Sequence, residues 1–113
     1  MLPLLEAIVL ASIVGAAADS VPRLDVDRFC ADIAQRAAPL ADKETCRQKE
    51  EETREQLVRT WTGFDPADRA HCVRLMTAGD AEATYTALLT CLEVERDART
   101  IREKNQDSTT ERR

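Results

Sequence analysis

Four cysteines set the terms on which this chain can fold. They stand at Cys30, Cys46, Cys72 and Cys91, with 15, 25 and 18 residues between them. An even cysteine count in a short exported chain reads as two disulfides. A zinc site would bring its ligands in closely spaced pairs instead, and no redox C-x-x-C motif is present. His71 adjoins Cys72, but neighbours on a helix point about 100° apart and rarely share a metal. Cys30, Cys46, Cys72 and Cys91 are therefore the expected disulfide residues. No residue is assigned a catalytic, cofactor-binding or metal-binding role.

The redox setting follows from the first 18 residues, MLPLLEAIVLASIVGAAA, of which 14 are hydrophobic and none is Lys or Arg. An apolar run that ends in small residues and gives way to polar sequence resembles a secretory signal peptide. Ala16 and Ala18 supply the small-x-small pattern and place cleavage between Ala18 and Asp19. The missing basic start and Glu6 depart from that pattern, and a start further upstream would account for the first. The uninterrupted stretch from Ala7 to Ala18 is 12 residues, short of the ~20 that a spanning helix needs. A periplasmic or secreted domain with no stable membrane anchor after leader cleavage is the expectation.

Without the leader, 95 residues remain with 16 basic and 20 acidic side chains. Leu, Ile, Val and Phe make up only 16 of those 95, below the ~20% at which a strongly charged chain starts to resemble a disordered one. So thin a core leaves little margin over the entropy of ordering the chain. The disulfides are the expected supplement.

Helical spacing dominates what is left. A first helix is expected over 25–38, with Val26, Phe29, Cys30, Ile33, Ala34 and Ala37 on one face and Pro39 at its end. A second runs over 42–62 with Cys46, Thr53, Leu57, Trp61 and Phe64 on its inner line. A third opens at Asp65-Pro66, a capping residue followed by proline at the first helical position, and closes at Gly79. Asp80 is expected to cap a fourth, which carries Tyr85, Leu88, Leu89, Cys91, Leu92 and Val94 to about Glu103. The organisation reads as a signal peptide (1–18), a lead-in (19–24), a helical domain (25–103) and a disordered tail (104–113).

Helix position also chooses the disulfide pairing. Cys30 and Cys46 are equidistant from the first turn, at 38–39, and Cys72 and Cys91 are nearly so from the turn at Gly79-Asp80. Cys46 and Cys72 are offset from their turn by about 10 residues, or ~15 Å along a helix, beyond what a disulfide spans. The expected pairs are Cys30–Cys46 and Cys72–Cys91. The fold class is all-α: a small four-helix arrangement of two disulfide-stapled helical hairpins.

Catalytic constellations are lacking. Ser12, Ser20 and Ser108 lie in the leader, the new N-terminus and the tail, away from any rigid position beside His71. Glu50-Glu51-Glu52 falls in a stretch where Arg47–Glu51, Glu50–Arg54 and Glu55–Arg59 stand four apart, which reads as a solvated face. There is no EF-hand spacing and no phosphate-cradling glycine loop. The formal charge of −5 argues against nucleic acid as a partner.

The stretch Cys46…Leu57…Trp61…Phe64…Arg69…Cys72…Tyr85…Leu88-Leu89-Thr90-Cys91-Leu92-Glu93 resembles small exported four-cysteine helical proteins of alphaproteobacteria. Its most specific pieces are the W-x-x-F before the third helix and the Tyr-x-x-Leu-Leu-Thr-Cys-Leu-Glu run; Thr84 stands where a Ser is expected. The resemblance implies a helical periplasmic domain and brings no activity, cofactor or mechanism with it. The expected function is that of an exported non-enzymatic helical module binding a protein or envelope component. The contact surface would be the acidic outer face of the second helix with the fourth helix beyond Cys91. The alternative is a small inhibitor of an envelope-targeting hydrolase such as a lysozyme, whose basic surface an acidic domain would attract.

Overall fold

The computed structural model describes residues 20–37, 42–78 and 83–111. Those residues form four α-helices and no strand: α1 (Asp27–Ala37), α2 (Lys43–Thr60), α3 (Pro66–Thr77) and α4 (Tyr85–Glu111), with a 3-10 turn at Trp61–Gly63. Disulfides join Cys30 to Cys46 and Cys72 to Cys91, with Cα separations of 5.5 and 5.8 Å. The all-α, twice-stapled architecture expected from the cysteine spacing is the one found. The leader with its cleavage point at Ala18, the turn at Ala38-Pro39 and the turn at Gly79-Asp80 lie outside the described residues.

Local chemistry explains most of the helix starts. Asp42 caps α2, its carboxylate accepting from the Thr45 backbone N–H at 2.8 Å and from the Thr45 hydroxyl at 2.9 Å. Asp65 caps α3 by accepting from Ala67 N–H at 2.8 Å, and Pro66 fills the first helical position without a donor to satisfy. At the end of α2 the chain tightens into the 3-10 turn, where Phe64 N–H donates to the Trp61 carbonyl at 3.2 Å. The fourth helix departs from the sequence expectation at both ends. It begins at Tyr85 rather than near Asp80, with the Thr84 hydroxyl accepting from Ala87 N–H at 3.0 Å. It continues to Glu111 rather than ending near Glu103, because no glycine or proline follows Tyr85 to break it.

The core is built from Leu57 of α2, Trp61 and Phe64 of the connecting segment, Cys72 and Val73 of α3, and Tyr85, Leu88 and Leu92 of α4. Val21 joins them from the lead-in. That segment is held by Tyr85, whose hydroxyl accepts from Leu24 N–H at 2.9 Å. Glu50 meets the start of α4 and Phe64 meets Arg96 further along it, so α2 and α4 run in the same direction. The return helix α3 is antiparallel to α4, as Cys72–Cys91 and Asp68–Arg99 require.

Helix α1 lies at the margin. It packs on α2, yet none of its residues belongs to the core cluster. Of the apolar line expected to bury it, Cys30 is fully enclosed, Phe29, Ile33 and Ala34 are half-buried, and Ala37 is exposed. Of the apolar residues that α4 carries, Tyr85, Leu88 and Leu92 are buried while Val94 is 58% exposed.

Candidate functional site

Glu50 is the most informative side chain in the molecule. The Glu50-Glu51-Glu52 run reads in sequence as wholly solvated, but Glu50 is only 5% exposed. Its Oε1 accepts from Tyr85 N–H at 2.7 Å and from Thr86 N–H at 3.4 Å, and its Oε2 accepts from the Thr86 hydroxyl at 2.6 Å. A carboxylate from α2 thus satisfies donors that the first turn of α4 cannot pair internally, and it sits where the helix dipole favours negative charge. The signal was present in the spacing. Glu50 follows Cys46 by four residues and precedes Leu57 by seven, on the same inward stripe.

Asp68, assigned by sequence only to the start of a helix, is also buried, with 6% exposed. It receives the Arg99 guanidinium through two hydrogen bonds, from Nη2 at 2.7 Å and from Nε at 3.2 Å. That bond to Asp68, reinforced by the nearby Asp65, raises the Arg99 pKa above its already high ordinary value. The clamp ties the first turn of α3 to α4, about one turn before the Cys72–Cys91 bridge.

Three arginines lie over aromatic rings: Arg54 over Tyr85 at 6.0 Å, Arg69 over Trp61 at 5.8 Å and Arg96 over Phe64 at 5.3 Å. Arg54 Nε, Arg69 Nε and Trp61 Nε1 are buried without a hydrogen-bond partner. Attraction of the two guanidinium charges to the ring faces, ~1 kcal/mol each, offsets part of that cost.

The inward turn of these groups leaves the outer face of α2 uncompensated. None of the three expected pairs forms. Arg47 turns to Asp27 at 2.8 Å and Glu44 at 3.1 Å, Arg54 lies over Tyr85, and Glu50 is engaged with α4. Glu51, Glu52 and Glu55 are exposed, and among the described residues none has a basic side chain within ion-pair distance. Beyond the body, residues 101–109 of α4 are all exposed, so the helix projects past α3 with Ile101 58% open to solvent.

Several clefts flank α2 among the described residues. One of about 400 Å³ lies against the lead-in and carries both charge signs, from Arg23, Asp27, Arg47 and Glu51. Another, of about 440 Å³, lies between α1 and α2 and is walled by Phe29, Ile33, Cys46, Lys49 and Thr86. His71 is half-exposed, with Nε2 3.9 Å from Glu95 Oε1. Among the described residues no group of three His, Cys, Asp or Glu side chains is placed to hold a metal ion. No described helix is long and apolar enough to cross a membrane. Two disulfides within one small chain fit an oxidising, extracytoplasmic setting. Comparisons with protein-family models, with curated proteins and with solved structures found no match to this chain.

Proposed function

We propose that this chain is an exported, non-enzymatic helical module of the periplasm or cell exterior that docks a basic protein or envelope component. The contact is the outer face of α2, with α4 beyond Cys91 as a second element. One observation carries the reading: Glu51, Glu52 and Glu55 form an exposed acidic stripe on an ordered helix, with Arg47 and Arg54 of the same helix drawn elsewhere by Asp27, Glu44 and Tyr85. Such a stripe speeds encounter with a positive surface and selects against negative ones.

The test compares the mature chain with its Glu51→Lys/Glu52→Lys/Glu55→Lys variant as bait on native envelope extract. The expected result is a basic partner whose retention falls at least about tenfold in the variant and also at raised salt. Identical capture by both baits would reject the acidic face as the contact. A basic muramidase is one partner with this chemistry. Inhibition by the native chain that the triple variant loses would identify the module as a hydrolase inhibitor.

A further inference from the structure

We propose that the Cys30–Cys46 bridge is a site of thiol–disulfide exchange. A dithiol reduces it ahead of Cys72–Cys91 and frees α1 from a body that stays folded. This inference does not depend on the identity of any docking partner.

The two bridges close loops of similar length, 16 and 19 residues in sequence separation, so chain entropy does not separate them. Their surroundings do. Cys72 is part of the core cluster and Cys91 packs against it, beside Leu88 and Leu92. If that bridge were cut, the packed α3–α4 pair and the Asp68–Arg99 clamp would still hold the two sulfurs together. Their effective concentration stays high and the bridge re-forms. Cys30–Cys46 has no such anchorage in the core: α1 packs on α2 but contributes nothing to the apolar cluster. Its ties to α2 include the exposed Asp27–Arg47 ion pair at 2.8 Å and the half-buried Phe29, Ile33 and Ala34. Exposed pairs of that kind add little to stability. Once that bridge is cut, no core packing holds the two thiols together, and re-formation becomes unfavourable.

Each bridge pairs a fully buried cysteine, Cys30 or Cys72, with a half-buried one, Cys46 or Cys91, and Cys46 forms part of the wall of the 440 Å³ cleft between α1 and α2, which gives a reductant a route to its sulfur. A thiolate of the dithiol attacks Cys46 Sγ, the bond to Cys30 Sγ breaks, and its electron pair leaves on Cys30, which takes up a proton. The second thiol of the reductant, deprotonated, then attacks its partner sulfur in the mixed disulfide. Cys46 leaves as a thiolate, and the reductant closes to its own disulfide. Two electrons pass from the dithiol to the bridge.

Cys46 is a suitable leaving group, because it sits near the N-terminus of α2, where the helix dipole stabilises a thiolate. Lys49 lines the same cleft with its positive charge. The acidic groups there, Asp42 and Glu50, are already engaged by Thr45 and by the first turn of α4.

The experiment equilibrates the full mature chain across a series of reduced-to-oxidised dithiothreitol ratios, then quenches with an alkylating reagent and maps the modified peptides. Hydrogen exchange and the fluorescence of Trp61 are read on the same samples. Cys30 and Cys46 are expected to be alkylated at a ratio at least about tenfold lower than Cys72 and Cys91. At that point α1 amides lose protection while Trp61 emission stays native. Joint reduction of both bridges, reduction of Cys72–Cys91 first, or retained α1 protection after Cys30–Cys46 opens would each overturn the proposal. A Cys30→Ser/Cys46→Ser variant gives an independent reading: it should keep native Trp61 emission with α1 unprotected. Loss of native emission in that variant would show that the body depends on the bridge and would reject the latch.

Discussion

The Glu50 carboxylate joins two helices that share no turn. Replacing it with Ala leaves the buried Tyr85 N–H without an acceptor, which is the costly way to lose a hydrogen bond, whereas the exposed Thr86 can turn to water. Glu50→Ala should lower the unfolding free energy by about 2–3 kcal/mol, with exchange protection lost first at the start of α4. Glu50→Gln, which keeps an acceptor for Tyr85 N–H, should cost less than half as much. Urea unfolding with both bridges intact measures the difference, and equal losses would assign the effect to packing. Glu50 stands four residues after Cys46 and seven before Leu57, in register with the inner line, but its residue type and its neighbours Glu51 and Glu52 argue for the surface. The donors that decide the matter lie 35 residues away, where a reading of local pairs does not look. Asp42 is the local counterpart. The Thr45 backbone N–H, and then its hydroxyl, hold the Asp42 carboxyl below its ordinary pKa. A depressed folded-state value means that the cap contributes above the ordinary carboxylate range and is lost as pH falls through the lowered value. Carbon-detected NMR titration should show Asp42 protonating at lower pH than a free aspartate, with Thr45 amide protection vanishing over the same window. A midpoint at or above the free value would contradict the cap.

At the level of elements, the legible boundaries are those made by neighbours in sequence. Asp65-Pro66 announces α3 and Asp42 announces α2, because cap and capped group are two or three residues apart. The start of α4 was misplaced because Asp80 offers the same local chemistry. The observed start instead combines the Thr84 hydroxyl with the distant Glu50 carboxylate. Its far end was misjudged for a different reason. Charged, apolar-poor sequence reads as a frayed tail, yet Arg, Glu, Lys and Gln are good helix formers, and nothing after Tyr85 interrupts them. Residues 101–109 are all exposed and none belongs to the core cluster, so they add length without adding to the core. Truncation after Lys104 should therefore leave the urea midpoint unchanged within about 0.5 kcal/mol of stability, while removing part of the second contact element assigned to α4. A substantial fall in midpoint would show that the projecting segment packs on the body.

The molecule as a whole is a parallel pair, α2 and α4, bridged by the returning α3, with α1 stapled to its side. The cysteine positions carried the pairing, since antiparallel hairpins put equidistant residues face to face. They could not show that one staple lies in the core and the other at its edge. That distinction depends on Trp61, Phe64 and Tyr85 converging on Cys72 rather than on Cys30. It also sets what each bridge means for folding. Removing Cys72–Cys91 forfeits ~3 kcal/mol of loop-closure stabilisation and leaves poorly filled space among Val73, Leu88 and Leu92. In a domain with so few large apolar residues, that is a major fraction of a stability of only ~5 kcal/mol. The Cys72→Ala/Cys91→Ala variant should keep the near-ultraviolet dichroism of Trp61 in the absence of denaturant but unfold at a markedly lower urea concentration, a loss of about 3 kcal/mol. An unchanged urea midpoint in that variant would mean that the apolar cluster alone sets the stability, and that the thin core is not the reason two disulfides are present.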